Sequence, residues 1–408
     1  MAQASGVRRA ALVVADMSGP SPRARRFSGR AHFWAAFAFV MLSAHSYLYV
    51  TEAGATGGWF RALWLSAGLL ALCASPSAPF IGPPKNGTSR FSLRSVLQRS
   101  GAVWNFAVLF TAAYAILLRA ASLVHAIPPR ALFPAAFILA SLTCLYGLFE
   151  ARNVRSVFFS LDTEKLRTNE RLRVVQISDL HIGPFMNVGH VARVARATLD
   201  AAPDLVVITG DTVDGVVGDE SGTLPFYRPF AKALGRISEG RPRLGVWAVP
   251  GNHEYYESFE NSARFIESAG VRLLRCEKAD LGPVLLIGAD DMDHATPSGE
   301  DPSLSRSEAL ISSLSAHERE KFVLLLRHRP AVEGSALGTF DLQLSGHTHG
   351  GQLVPLPSSR HRIPGRPKGL LALQRGSYIY VSNGAGFVGP PMRFFAPAEV
   401  VVIDLAGR

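Results

Sequence analysis

Hydrophobic residues follow two different patterns along this 408-residue chain. In the first part they form four long runs with almost no internal charge, at about residues 33–50, 59–74, 102–118 and 132–149. Each run is near the roughly 20 residues that a helix needs to cross a bilayer. Tryptophan and tyrosine residues lie near the ends of the runs, as interfacial aromatics do. The pattern therefore predicts four membrane-spanning helices rather than the buried core helices of a soluble domain.

The pattern changes at about residue 154, where short runs rich in Val, Ile and Leu begin. The predicted strands cover about residues 154–161, 172–177, 205–209, 245–249, 271–274, 284–287, 322–326, 342–344, 378–381 and 400–403. The predicted helices cover about residues 188–200, 225–239, 258–269 and 303–315. Strands that alternate with helices indicate βαβ units, and the strand-rich second half predicts an antiparallel extension. We expect an α/β domain in which two sheets lie between layers of helices.

Three segments follow from these patterns: a basic, disordered tail over residues 1–30, a transmembrane region over 31–150 and a catalytic domain over 151–408. The net charge is +10, and residues 1–155 alone hold about 15 Lys and Arg against about 3 Asp and Glu. The remainder is therefore close to neutral, which argues against a nucleic-acid partner for the catalytic domain. The 3 cysteines include no close pair, so the sequence predicts neither a disulfide framework nor a cysteine zinc site.

The charges that flank the apolar runs predict the orientation in the membrane. The tail before the first run is rich in arginine, the loop after the second run carries Lys85, Arg90 and Arg94, and Arg152 and Arg155 follow the fourth run. Positive residues concentrate on the cytoplasmic side of membrane proteins. We therefore expect a multi-pass protein of the inner, cytoplasmic membrane, with the catalytic domain on the cytoplasmic side.

Candidate ligands for metal ions follow five of the predicted strands. Because the carboxyl ends of strands are where α/β sheets bind ligands, side chains at these ends are expected to meet in one cleft. Each strand end alone has an ordinary interpretation as a turn or a helix cap, but five in one domain favour a site. In chain order, the residues are Asp179 and His181, then Asp211 and Asp214, then Asn252, His253 and Glu254, then His328, and finally His347 and His349.

The residue types indicate which chemistry such a site would perform. Oxygen ligands mixed with imidazoles suit Mn, Fe or Zn. Two divalent ions roughly 3.5–4 Å apart activate a water molecule as hydroxide and stabilise an in-line displacement at phosphorus. We therefore expect two divalent ions as cofactors, with Mn as the first choice and Fe or Zn as alternatives.

At these residues the chain resembles the calcineurin-like metallophosphoesterases. Their motifs Asp-x-His, Gly-Asp-x-x-Asp, Gly-Asn-His-Glu, a lone His and Gly-His-x-His are all present, in order, between about residues 154 and 403. The resemblance implies a four-layer α-β-β-α sandwich. With the membrane segments in front, the chain is similar to a membrane-anchored bacterial branch that includes UDP-diacylglucosamine pyrophosphatases of lipid A synthesis.

The resemblance also implies a role for each motif residue. Asp179, His181 and His349 would hold the first metal ion, Asn252, His328 and His347 the second, and Asp211 would bridge the two. His253 would stabilise charge or protonate the leaving oxygen. Asp214 and Glu254 would orient ligands from behind, and Arg327 and Arg329 are candidates for contact with the substrate phosphate.

The sequence thus predicts a membrane-tethered phosphoesterase that hydrolyses a phosphodiester or pyrophosphate bond by attack of a hydroxide held between two metal ions. Its partners would be the bilayer and a phosphate-ester substrate, with a lipid-linked substrate as a further hypothesis. Two alternatives stay open at this point. One is a phosphodiesterase or nuclease with a soluble substrate, and the other is a non-catalytic membrane scaffold that senses metal.

Overall fold

The computed structural model describes residues 41, 43–48, 93–125, 127–183, 185–214, 226–256, 258–291, 302–332, 334–352 and 368–408. The predicted tail over residues 1–30 and the second apolar run, 59–74, lie outside the described residues. In order, the helices are α1 (Leu93–Ala121), α2 (Pro129–Arg152), α3 (Val188–Asp200), α4 (Arg228–Glu239), α5 (Phe259–Ser268), α6 (Pro302–Ser312) and α7 (Ala316–Glu320). The strands are β1 (Val154–Thr163), β2 (Arg171–Ile177), β3 (Leu205–Thr209), β4 (Val246–Val249), β5 (Arg272–Leu273), β6 (Glu277–Asp280), β7 (Val284–Gly288), β8 (Phe322–Leu326), β9 (Leu342–Ser345), β10 (Gly369–Ala372), β11 (Tyr378–Val381) and β12 (Ala398–Gly407).

Within the described ranges these strands form two six-stranded sheets. Sheet 1 has the order β1-β12-β2-β3-β4-β5, and β2, β3, β4 and β5 run parallel to one another. Strand β12 enters between β1 and β2, parallel to β1 and antiparallel to β2. The last strand of the domain therefore lies inside the first sheet.

Sheet 2 has the order β10-β11-β9-β8-β7-β6, and the predicted antiparallel extension holds here only at the two edges. Among the described strands, the β7–β8, β8–β9 and β9–β11 pairs are parallel, whereas the edge pairs β6–β7 and β10–β11 are antiparallel. Both sheets are therefore mixed. Their central strands place carboxyl ends along one edge of each sheet, which is where a site can form.

Alternating side chains along the strands divide the domain into layers. Val175 and Ile177 of β2 pack under helices α3, α4 and α5, whereas Leu172 and Val174 of the same strand point to the other face and meet sheet 2. The outer face of sheet 2 packs against α6 through residues such as Leu325 and Ile311. The order of layers is helices, sheet, sheet, helices, and the α/β class predicted from the sequence is confirmed.

Two of the described helices are long and apolar enough to cross a membrane, over Arg99–Ala121 of α1 and Ala131–Arg152 of α2. They contain the third and fourth predicted runs. Residues 41 and 43–48 of the first run are helical, and Ala44 and Leu48 pack with α1 and α2. That four helices span the membrane remains a prediction, because most of the first run and all of the second lie outside the described residues.

Candidate metal centre

The five predicted strand ends converge on one cleft between the two sheets. Five of their residues adopt a positive φ, which is unusual for residues other than glycine: Asp179 (54°), His181 (50°), Asp211 (51°), His347 (68°) and His349 (50°). Such backbone conformations cost of order 1–3 kcal/mol each and persist where the surrounding structure imposes them, often at functional sites. The chain thus bends sharply after β2, β3 and β9, and the side chains at these three strand ends turn toward one another.

The first group of potential ligands consists of Asp179, His181 and His349. The Nε2 atoms of His181 and His349 lie 3.0 Å apart, and Nε2 of His349 lies 3.4 Å from Oδ1 of Asp179. All three side chains are buried. The backbone N–H of His347 donates to Oδ1 of Asp179 at 2.9 Å, while Oδ2 of Asp179 is buried without a hydrogen-bond partner.

The second group consists of Asp211, His328 and His347. Nε2 of His328 lies 3.0 Å from Oδ2 of Asp211 and 3.1 Å from Nδ1 of His347. Asn252 belongs beside this group, since its neighbour His253 donates a backbone N–H to Oδ1 of Asp211 at 2.9 Å. The Nδ2 of Asn252 donates to the hydroxyl of Tyr256 at 2.8 Å, which leaves its buried Oδ1 without a partner.

Asp211 lies between the two groups. Its Oδ2 is 3.0 Å from Nε2 of His328 and 3.6 Å from Nε2 of His181. Burial raises the pKa of Asp211, but the imidazoles of His328 and His253 outweigh burial and hold the pKa well below its usual range. Asp211 is therefore ionised, and one of its oxygens faces imidazoles from both groups.

Bound cations fit this arrangement because hydrogen-bond acceptors face one another. Nδ1 of His328 lies 2.9 Å from the carbonyl oxygen of Thr209, which can only accept, so Nδ1 carries the proton. In the neutral ring, Nε2 then presents a lone pair to the Asp211 carboxylate. His181 repeats the arrangement, because its Nδ1 lies 2.5 Å from Asp214 while its Nε2 faces His349. A proton or a metal ion must lie between such acceptors, and the O/N ligand set suits divalent metals.

In the absence of metal ions, bound protons separate some of these facing acceptors. Burial lowers the pKa of His328, but Asp211 opposes it and raises the pKa to about 10. Metal ligation requires the deprotonated ring, so metal and proton compete for the same nitrogen.

His253 lies at the opening of the cleft beside both acidic motif residues. Its Nδ1 is 3.1 Å from Oδ1 of Asp214, and its ring packs edge-on against His181 with centroids 4.5 Å apart. Burial lowers the pKa of His253, but Asp211 and Asp214 raise it to about 9. The ring is therefore a cation at neutral pH that faces the site.

Glu254 lies behind the site and holds its loops together. Its carboxylate accepts backbone N–H groups from Gly251 at 2.7 Å, Asp211 at 3.0 Å, Thr212 at 2.7 Å and Val213 at 3.2 Å. The carboxylate thus fixes the loops that carry Asp211 and Asn252, whereas Asp214 contacts the imidazoles. Both acidic residues were predicted to orient ligands. Asp214 contacts imidazole side chains, whereas Glu254 binds backbone N–H groups.

The two arginines predicted to contact substrate phosphate have protein partners in this structure. Arg327 is buried and donates from Nη1 to the carbonyl of Ala331 at 3.1 Å. Nε of Arg329 lies 3.2 Å from Oδ1 of Asp291, which follows strand β7. Contact of either arginine with substrate therefore stays a prediction, and Arg327 is the less accessible of the two.

A sixth strand end supports the site and was missed from the sequence. After β11, the backbone N–H of Gly386 donates to the carbonyl of Asp179 at 2.9 Å, and Ala385 donates to Ser178 at 2.8 Å. Gly384 approaches so closely that a Cβ would lie 2.8 Å from that of Asp179. The signal was available, because a polar, glycine-rich stretch, residues 382–386, directly follows a predicted strand.

The layered α/β domain and its cleft of histidine, aspartate and asparagine side chains define a metal-dependent hydrolase, and comparisons with known proteins specify the family. A family model described as calcineurin-like phosphoesterase matches residues 172–351. An uncharacterized metallophosphoesterase of Aquifex aeolicus is 35% identical over 272 residues, which cover 66% of this chain and 98% of that protein. The chain belongs to this family of metallophosphoesterases, and it is a metal-dependent phosphoesterase.

Two further relatives combine the same domain with other sequence. An uncharacterized metallophosphoesterase of Campylobacter jejuni is 28% identical over 281 residues, covering 68% of this chain and 71% of that protein. A transmembrane protein with metallophosphoesterase domain from Danio rerio is 30% identical over 283 residues, covering 66% of this chain and 62% of that protein.

Proposed function

We propose that this protein is a membrane-tethered phosphoesterase with two metal ions, which hydrolyses a phosphodiester or pyrophosphate bond. The observation that carries the proposal is the position of Asp211, whose Oδ2 faces His328 of one ligand group and His181 of the other. A carboxylate between two groups of imidazoles is suited to bridge a pair of cations.

We assign Asp179, His181 and His349 to the first metal ion and Asn252, His328 and His347 to the second, with Asp211 shared. The unpartnered oxygens of Asp179 and Asn252 support this assignment. The bound ions, with Mn as first choice and Fe or Zn as alternatives, would neutralise phosphate oxygens and supply hydroxide near neutral pH.

A side chain of the protein, His253, would then protonate the leaving group. Because the pKa of His253 is raised to about 9, its ring carries a proton at neutral pH. That proton can neutralise charge on the leaving oxygen, which is the part of the reaction a general acid assists. Asp214 holds the ring in place from behind, at 3.1 Å from Nδ1.

A position at the membrane supports a lipid-linked substrate. In this proposal the protein lies in the inner membrane and its catalytic domain is on the cytoplasmic side. Helices α1 and α2 precede the domain without a long linker, since β1 begins at Val154, two residues after α2 ends at Arg152. The domain is therefore held near the end of a candidate membrane span. A relative from Danio rerio, described as a transmembrane protein with metallophosphoesterase domain, is consistent with a membrane setting.

The test compares two substrates with full-length protein in detergent, stripped of metal and resupplied with Mn. One substrate is a soluble aryl phosphodiester and the other a UDP-linked lipid. Asp211→Asn is expected to abolish hydrolysis of both, whereas Asp200→Asn, a control at an exposed ion pair, should match the parent. Faster turnover of the lipid would support the full proposal. Turnover of the soluble ester alone would remove the lipid substrate, and no turnover of either would favour the non-catalytic alternative.

A further inference from the structure

One loop of the catalytic domain, residues 387–396, has almost no exposed polar side chain; it is called the apolar loop below. Its only charged residue is Arg393, which is fully buried. The guanidinium donates to backbone carbonyls of Gly386 at 2.8 Å, Ala396 at 2.8 Å and Asn383 at 2.9 Å. The charge therefore stabilises the loop from inside and leaves an apolar surface outside.

The apolar loop packs against both candidate membrane helices. Phe394 lies with its ring 5.5 Å from that of Phe110 in α1 and against Gly147 in α2, where any Cβ would collide with the ring. The backbone N–H of Arg393 donates to the carbonyl of Gly147 at 3.0 Å. The loop is thus joined to α2 by a hydrogen bond as well as by aromatic contacts.

The contacts lie within the apolar part of the helices rather than at their charged ends. Tyr146 is six residues before Arg152 in α2, which corresponds to about 9 Å along the helix axis. Its ring centroid is 6.4 Å from that of Phe395. Phe395 is 70% exposed and Phe149, one turn further along α2, is 67% exposed. Exposed aromatic rings of the loop and the helix therefore form one continuous surface.

The same loop is connected to the ligand loop of the metal centre. Nε2 of Gln352, three residues after His349, donates to the carbonyls of Val388 at 3.0 Å and Met392 at 3.1 Å. In return, the backbone N–H of Val388 donates to Oε1 of Gln352 at 2.9 Å. The apolar loop and the metal centre thus share a network of hydrogen bonds.

We propose that the apolar loop inserts into the interfacial region of the bilayer beside α2, with the ring of Phe395 in contact with lipid. Three observations support this: the loop's surface is continuous with that of a candidate membrane span, its one charge is turned inward, and an exposed phenylalanine is stable at such an interface. The metal centre is then held at the level of the lipid headgroups. Its substrate would be a phosphate carried on a lipid, a consequence that rests on the proposed hydrolysis.

The insertion is tested without any measurement of activity. Full-length Phe395→Trp in vesicles should add tryptophan emission that is quenched by lipids brominated near the headgroup end of their chains, at the depth of about 5–10 Å expected for interfacial residues. Phe158→Trp is the matched control, since Phe158 is 64% exposed on strand β1. The proposal is wrong if brominated lipid does not quench the emission added by Phe395→Trp. In that case a water-soluble quencher would quench this emission as strongly as the emission added by Phe158→Trp.

A kinetic measurement then tests the consequence for the substrate. Phe395→Ser should raise KM for a lipid-borne phosphodiester by about threefold or more, because a buried apolar contact with the membrane is lost, and leave KM for a soluble ester unchanged. Equal effects on both substrates would overturn the link between the loop and lipid substrates. Loss of all hydrolysis in the parent protein would instead contradict the proposed function, while the quenching result would still decide insertion.

Discussion

Nδ1 of His253 lies 3.1 Å from Oδ1 of Asp214. The same carboxylate oxygen lies 2.5 Å from Nδ1 of His181, so one carboxylate orients a predicted ligand and a predicted acid together. Burial raises the pKa of Asp214, but His181 and His253 lower it to about 2, and the carboxylate stays ionised throughout the neutral range. Through Asp214, the proton on His253 is coupled to the geometry of the first ligand group.

Replacement of His253 by glutamine should reduce kcat by about 10²–10⁴ while leaving metal content unchanged, because His253 is assigned to proton donation and not to metal binding. Metal content by mass spectrometry and kcat on an aryl phosphodiester are the two measurements. A substrate whose leaving group needs no proton should lose much less. Loss of metal in this variant would instead place His253 among the ligands.

The activity should fall at alkaline pH, because His253 loses its proton there. Asp211 and Asp214 raise the pKa of His253 to about 9 in the metal-free site, and cations bound at Asp211 would offset part of this rise. Asp214→Asn removes one of the carboxylates that raise this pKa, so the alkaline limb should move to lower pH. The logarithm of kcat against pH, measured for both proteins, checks the shift. An alkaline limb that does not move would show that Asp214 has no influence on the titrating group.

Gly346→Ala should displace Asp179 and weaken metal binding. A Cβ at this position would collide with Oγ of Ser178 and Oδ2 of Asp179, and overpacking of this kind costs about 1–3 kcal/mol. Gly334→Ala is the control, because among the described residues no heavy atom beyond its chain neighbours lies within 4 Å of the added carbon. Metal affinity and the thermal midpoint should fall in the first variant alone, and equal affinities would contradict the close packing of Gly346 on Asp179.

The sequence was most informative at the strand ends. The runs before Asp211 and Asn252 are continuous and apolar, as buried parallel strands require, whereas the run before Asp179 also contains Arg173 and Gln176. Each of the three runs breaks at a polar turn. The strand-end residues that meet in the cleft could therefore be predicted from chain order alone. The roles of the individual residues could not be predicted in this way. Glu254, for example, contacts the backbone of Asp211, 43 residues away, and no local pattern encodes that contact.

Sequence patterns could not predict the direction of strand pairing or the presence of the edge strands. A strand such as β8, buried on both faces, has the same composition whether its neighbour is parallel or antiparallel. For this reason the antiparallel prediction holds at the edges of sheet 2 and not for its central strands. Strand β6 has the sequence Glu-Lys-Ala-Asp, which shows no apolar alternation, and it exists because β7 offers it hydrogen bonds. Long-range pairing decides both cases.

Strand order also determines when the domain can be completed during synthesis. Within the described residues β1 pairs with β12 alone, and about 235 residues separate the end of β1 from the start of β12. At a synthesis rate of about 5–20 residues per second, β1 would wait about 12–50 s for its partner. During that time β1, which directly follows helix α2, carries unpaired N–H and C=O groups that can pair with other chains. Among the described strands, β1 therefore gains its partner in the sheet only after β12 has been translated.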